Sequence, residues 1–403
     1  MLAHRIPPSS ATRRLSGEGA FEQLARAREL EALGRHVIHL EVGEPDFDTP
    51  AHVKAAGIAA IARNETHYAP SPGLARTRDA IAEYAARFRG MAPFARDNVV
   101  VSPGLKPLVW NLLCALLDPG DEMVYADPAY PAYAGCAAYL EARAVPIPLV
   151  ERADFRLDLE RLAADLHATT KVLVLNSPHN PTGGVLTRVD LERIAELAIR
   201  HDVTVVSDEI YSRNIYGRDF VSIASLDGMR ERTVILDGFS KAYAMTGWRL
   251  GYGIMPAHLA SAVALFGQNT YSCVAPFVQE AGIAALAGPD DDVRAMVAEF
   301  ALRRDAIVAG LNSLPGISCR TPDGAFYAFA NVSAITSDDR ALASYLLDEA
   351  GVAGLGGSCF GPFGRGYMRF SYARSLAEIE EAIERMREAL PRFERVTADA
   401  SPV

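Results

Sequence analysis

Short apolar runs alternate with helical periodicities through the middle of the chain. NVVVSP (98–103) is a strand pattern, and LKPLVWNLLCALL follows with Leu105, Leu108, Leu112 and Leu116 on one helical face before DPGD stops it. DEMVYADP is a second strand. KVLVLNSP (171–178) is a third, apolar throughout as a strand buried on both faces must be. After NPTGG, Thr187 and Asp190 stand in capping-box spacing ahead of a helix carrying Leu191, Ile194 and Leu197. VTVVSDEIY, TVILDGFSK and LGYGIMP continue the alternation, which is the signature of an α/β fold built on a doubly wound, mostly parallel sheet flanked by helices.

The last third has a different grain. A long helical pattern (Val293, Met296, Phe300, Ile307, Leu311) precedes the strand-like GAFYAFANV and GYMRFSYA. A final helix follows, with Ser375 and Glu378 in capping-box spacing and Ile379, Ile383 and Met386 facing inward. This predicts a smaller α+β domain over 286–403 and a large domain over 46–285. Residues 1–45 form an N-terminal arm and part of the small domain, since chain termini often pack together. The first 20 or so residues, rich in Ser, Arg and Pro, read as a flexible arm.

Composition narrows the class. With 403 residues and a formal net charge of −10, the chain is long enough for two domains and wrongly charged for nucleic acid or an anionic membrane as main partner. No apolar run approaches a membrane span and the start has no secretory h-region. Five scattered cysteines (114, 136, 273, 319, 359) show no metal or redox spacing, so reduced thiols in a cytoplasmic protein are expected. His36 and His39 have no third partner, and no metal site is expected. GLGGSCFG (354–361) fails the dinucleotide fingerprint and reads as a structural loop.

The polar residues are informative by position. Gly104, Tyr130, Asn180, Asp208 with Tyr211, and Ser240 with Lys241 each follow a strand pattern, and in open α/β sheets the ligand lies beyond the carboxyl ends of the strands. Each has an ordinary reading: a strand-to-helix turn at SPGLKP, a helix cap at Asp208, a core aromatic at Tyr211, turn chemistry at Asn180, a solvated Lys241, and an Arg249 paired with any acid. The functional reading places an anion on the free N–H groups of the helix start at Gly104, and a burial-depressed amine at Lys241.

Taken together, VGEPDFDTP, HYAPSPG, SPGLK, NSPHNPTGG, SDEIY, SKAYAMTGWRLGY and MRFSYA resemble the class I/II aminotransferases, pyridoxal-phosphate enzymes of fold type I, in order from about Leu40 to Ala373. The resemblance implies that Lys241 is the Schiff-base lysine and proton shuttle, that Asp208 faces the pyridine nitrogen, and that Tyr211 and Asn180 bond the ring oxygen. It places Tyr130 against the ring face, and Gly104, Leu105, Lys106, Ser240 and Arg249 on the phosphate. By the same resemblance Tyr68 reaches the phosphate of a neighbouring subunit in a homodimer, Arg369 clamps the substrate α-carboxylate, and Gly43 leaves room for substrate.

The implied reaction is transfer of an amino group between an L-amino acid and a 2-oxo acid by a ping-pong route through the pyridoxamine form. A lysine at the Lys106 position would favour aspartate or glutamate, and FGPFGRGY places bulk and Arg365 near the substrate pocket. The alternative keeps fold and cofactor but ends in elimination, decarboxylation or oxidation. A pyridoxal-phosphate-binding regulator would need a DNA-binding module, for which about 20 residues before the first helix leave no room. A nicotinamide dehydrogenase would need the missing glycine fingerprint.

Overall fold

The computed structural model describes residues 8–15 and 17–399, with side chains described up to residue 393. In chain order the strands are β1 (Ile38–His39), β2 (Val99–Ser102), β3 (Glu122–Asp127), β4 (Arg143–Val150), β5 (Arg156–Leu157), β6 (Thr170–Asn176), β7 (Thr204–Asp208), β8 (Thr233–Gly238) and β9 (Gly251–Ile254). The later ones are β10 (Ser318–Cys319), β11 (Tyr327–Asn331), β12 (Val352–Ala353), β13 (Leu355–Gly356) and β14 (Tyr367–Ser371).

One eight-stranded sheet has the order β2-β9-β8-β7-β6-β3-β4-β5. Its members β8, β7, β6, β3 and β4 are mutually parallel, while β9 runs antiparallel to both β2 and β8 and β5 antiparallel to β4. The apolar runs of the sequence form its centre: all residues of β2, β3, β7 (after Thr204), β8 and β9 are buried. β4 carries Pro146 and Pro148, which mask it as a strand in the sequence. The sheet accepts them because β4 lies beside the edge, where only Leu149 and Val150 pair with β5, so few ladder donors are needed on that side.

A second, four-stranded antiparallel sheet has the order β10-β11-β14-β13, and β1 pairs with β12. The helices Asp291–Asn312 and Leu376–Asp399 cover it. The long-helix residues read from periodicity (Val293, Met296, Phe300, Ile307, Leu311) are all buried, and one apolar cluster joins Ile38 and Leu40 to Met296, Phe326, Met368, Ile383 and Met386. Both capping boxes form: Thr187 Oγ1 accepts from the Asp190 N–H at 3.2 Å, and Glu378 Oε2 accepts from the Ser375 N–H at 3.1 Å.

Of the expected N-terminal arm, residues 1–7 and Ser16 lie outside the described residues. Ser10–Arg14 makes a turn of 3-10 helix, and Arg14 tethers it by donating to the Tyr139 carbonyl at 2.9 Å and pairing with Glu141 at 3.1 Å. The helix Gly19–Ala32 follows directly. No helix among the described residues is long and apolar enough to cross a membrane.

Candidate active site

The carboxyl ends of β2, β3, β6, β7 and β8 open on one cleft of about 350 Å3. Its lining includes Gly43, Leu105, Lys106, Tyr130, Asn180, Asp208, Tyr211, Ser240, Lys241, Arg249 and Arg369: the residues from 105 to 241 converge because the strands end at one edge, and Gly43 and Arg369 come in from the N-terminal segment and from β14. Gly104 caps the helix Leu105–Leu116 just behind this lining. Tyr68 does not line the cleft; it is 92% exposed.

Lys241 stands out among the lysines. The sequence holds four, and three of them face a carboxylate: Lys54 with Asp48 at 2.9 Å, Lys106 with Glu18 at 2.6 Å and Lys171 with Asp121 at 3.5 Å. Lys241 Nζ instead donates to the Gly43 carbonyl at 2.6 Å. Burial lowers its pKa to about 8; Glu44 opposes this, and the charges of Arg369, Arg249 and Lys106 add to it. An amine so placed is half neutral near pH 8, well below an ordinary lysine, and a nucleophile must be neutral to react.

Asp208 ends β7 and is buried, which raises its pKa to about 6 against the hydrogen bonds it accepts from Tyr133 Oη at 2.6 Å and the Ile210 N–H at 3.2 Å. It has no cationic partner among the described residues, so a protonated ring nitrogen would relieve its burial. Beneath it, the adjacent Glu209 and Asp237 share Arg89 at 2.6 and 2.7 Å, with both Ser207 and Ser222 donating to Glu209; this buried network fixes the chain on which Asp208 sits.

Neither of the two arginines on the cleft lining, Arg249 and Arg369, has an acidic partner within 4 Å among the described residues. Arg249 holds only the Thr246 carbonyl at 2.7 Å, beside Gly104 and the N-terminus of the helix Leu105–Leu116. Gly104 has φ +88°, a left-handed conformation that favours glycine, and a Cβ there would displace the Arg249 guanidinium from its place beside the helix start. Free helical N–H groups, a serine and an unpaired guanidinium in one cradle fit a phosphate. Arg369, on β14, is buried; its Nη1 donates to Asn180 Oδ1 at 3.0 Å, its Nη2 to the Glu41 carbonyl, and its Nε has no partner. A buried, incompletely satisfied guanidinium facing a cleft fits a carboxylate ligand. Gly43 must be glycine here because a Cβ would overlap the Tyr327 hydroxyl.

Several lining residues were not singled out in the sequence. Tyr133 sits one turn beyond Tyr130, its ring edge-on to Tyr130 at 5.7 Å between centroids. Asn176 ends β6, donating to the Asp208 carbonyl at 3.0 Å and accepting from the Asn180 N–H at 2.8 Å. Tyr327 meets Tyr211 hydroxyl to hydroxyl at 2.8 Å. The i, i+3 repeat of Tyr130–Tyr133 and the lone Asn closing an apolar strand were the available signals; Tyr327 was hidden in an aromatic strand that reads as core. Glu18 and Phe21 reach the cleft from the helix Gly19–Ala32.

Two expectations are corrected. The 354–361 loop is more than structural: it brings Leu355, Cys359 and Phe360 onto the cleft wall, held by the Ala129 N–H donating to the Phe360 carbonyl at 2.7 Å. Arg365, expected near the substrate pocket, is absent from the lining because it turns outward and donates to the Ser337 carbonyl at 3.1 Å.

A site that offers a lowered-pKa amine, a buried acid and two cationic clusters fit for a phosphate and a carboxylate suits a pyridoxal-phosphate enzyme. The chain belongs to the family described as aminotransferase class I and II, whose match spans residues 35–386. It is 39% identical over 398 residues to an aspartate aminotransferase of Rhizobium meliloti (strain 1021), covering 94% of this chain and 96% of that one. It is 36% identical to the arginine–pyruvate transaminase of Pseudomonas aeruginosa, over 94% and 96% of the two chains. The crystal structure of the aspartate aminotransferase from Rhizobium meliloti superposes with a TM-score of 0.91 at 37% identity, over 96% of this chain and all of that one. The protein is a pyridoxal-phosphate-dependent aminotransferase of fold type I.

Proposed function

We propose that Lys241 carries the cofactor and moves the proton in the amino-group exchange between an L-amino acid and a 2-oxo acid. The single observation that carries this is the unpaired amine of Lys241, the one lysine with no carboxylate within 4 Å among the described residues, on the same cleft lining as Asp208, Arg249 and Arg369. Bound pyridoxal phosphate supplies an electrophilic carbon and an electron-withdrawing ring. Asp208 would hold the proton on the ring nitrogen, with Tyr133 fixing the orientation of its carboxylate. Tyr211 and Asn180 would bond the ring oxygen, and Tyr130 would lie against the ring face.

The Gly104, Leu105 and Lys106 backbone, Ser240 and Arg249 hold the phosphate, while Arg369 holds the α-carboxylate of either substrate. With both ends fixed, Lys241 Nζ, once free, would take and hold the proton of the substrate α-carbon, so that one amine would serve as base and then as acid. An aspartate or glutamate donor would turn its second carboxylate toward Lys106.

We further read the molecule as a homodimer in which Tyr68, exposed outside its own cleft, completes the partner's phosphate site. Residues 1–45, 46–285 and 286–403 are read as arm with part of the small domain, large domain and small domain, supported by the apolar cluster that joins Ile38 and Leu40 to the C-terminal helices. A cytoplasmic location accords with the absence of a paired cysteine framework among the described residues. The test is spectroscopic: an amino acid alone should shift the cofactor absorbance to its amine form with release of the matching 2-oxo acid, and a second 2-oxo acid should restore it. Ammonia or carbon dioxide in place of that reversible half-reaction overturns the reading.

A further inference from the structure

Lys106 points its amine to the mouth of the cleft, yet that amine is already held. Its Nζ lies 2.6 Å from Glu18 Oε1, 5.2 Å from the Phe21 ring centroid and 5.7 Å from that of Tyr130. Glu18 comes from a distant part of the chain, at the start of the helix Gly19–Ala32. Its side chain makes no cap bond there, so the helix does not require its carboxylate. Glu44, a third carboxylate on the lining besides Glu18 and Asp208, accepts from the Thr246 hydroxyl and has no cation within 4 Å among the described residues. With Arg249, Arg369, Asp208 and Lys241 assigned to the cofactor and the α-carboxylate, the charged residues left on the lining are Glu18, Lys106 and Glu44, one cation against two anions. The other walls there are apolar or aromatic: Phe21, Leu105, Tyr130, Leu355 and Phe360.

We propose that Glu18 is a specificity-determining residue, an internal carboxylate that occupies Lys106 and that the second carboxylate of a dicarboxylic substrate must displace. A neutral apolar side chain leaves the pair intact and packs on the aromatic walls. An acidic one breaks the pair, frees an uncompensated Glu18 beside itself, and meets Glu44 as well. The inference rests on the aminotransferase reading with its assignment of Arg369, and its sign is definite: Glu18 holds down the ratio of acidic to neutral substrates.

The experiment compares wild type, Glu18→Gln and Glu18→Gln/Lys106→Met holoenzymes. The first readout is kcat/KM for aspartate and for phenylalanine with pyruvate as acceptor; the second is calorimetric binding of succinate, which has no amino group to react. Glu18→Gln should raise the aspartate-to-phenylalanine ratio and the succinate affinity more than twofold and up to about fivefold, the factor corresponding to about 1 kcal/mol at the upper end for a half-exposed ion pair. The double variant should lose that gain, because the freed lysine is its source. A ratio and a succinate affinity within twofold of wild type in Glu18→Gln, or a gain that survives in the double variant, overturns the proposal. Failure of the wild type to transfer an amino group from any donor is a different result and overturns the function reading instead.

Discussion

Replacing Arg369 with Gln removes the only buried guanidinium on the cleft wall that has a nitrogen to spare. Arg369 keeps two protein bonds, to Asn180 Oδ1 at 3.0 Å and to the Glu41 carbonyl, and its fork is fixed between the Tyr327 and Phe360 rings, 4.4 and 4.8 Å from their centroids. Little side-chain entropy remains to be lost on binding, so a carboxylate gains nearly the full value of its contacts. A hydrogen bond to a charged group contributes about 1.5–3 kcal/mol, and a two-pronged contact about 3–6 kcal/mol. At about 1.4 kcal/mol per tenfold, kcat/KM should fall about 10²- to 10⁴-fold. Because donor and acceptor both carry an α-carboxylate, the loss should be similar for the amino acid and the 2-oxo acid, measured as two separate half-reactions. Cofactor affinity, followed by absorbance titration of the cofactor-free protein, should change less than about threefold. A fall below fivefold, or a fall in one half-reaction alone, would refute the assignment.

Other outcomes follow from the same geometry. Arg249→Ala should weaken pyridoxal-phosphate binding about 10- to 100-fold by equilibrium titration, the value of one charged hydrogen-bonding partner; unchanged affinity would move the phosphate elsewhere. Asp208 has a folded pKa raised to about 6, so the cofactor-free protein binds more protons than the unfolded chain between about pH 4 and 6, and this group's contribution to stability is lost as pH rises through that window. Asp208→Asn should therefore melt higher than wild type at pH 7 when cofactor-free, with the advantage gone near pH 4, while activity drops; equal melting at both pH values contradicts it. In cofactor-free wild type, amine-reactive labelling of the peptide bearing Lys241 should rise with a midpoint near pH 8, because burial lowers that amine; a midpoint above about 9.5 would show an ordinary lysine.

What could be read from the chain divides along physical lines. Buried parallel strands such as β6 and β7 are apolar runs closed by a polar residue, and the residues just past them were legible because the strand ends are where such sheets bind ligands. Local rules also located both capping boxes. Contacts that depend on remote segments were not legible: no local pattern brings Glu18 to Lys106 across 88 positions, or Tyr327 to Tyr211 across 116. Arg365 misled because proximity in sequence to the cleft loop does not fix which way an exposed side chain turns. β4 escaped notice because its two prolines contradict strand propensity, and only its place beside the edge makes them harmless.

The central claim is that Lys241 is the residue on which the cofactor is carried, and the chain's four lysines make it directly testable. The holoenzyme is reduced with borohydride, digested and mapped by mass spectrometry. The predicted result is the added mass of the reduced cofactor on the peptide containing Lys241, with the peptides of Lys54, Lys106 and Lys171 unmodified. The added mass on any of those three, or on none of the four, would contradict it.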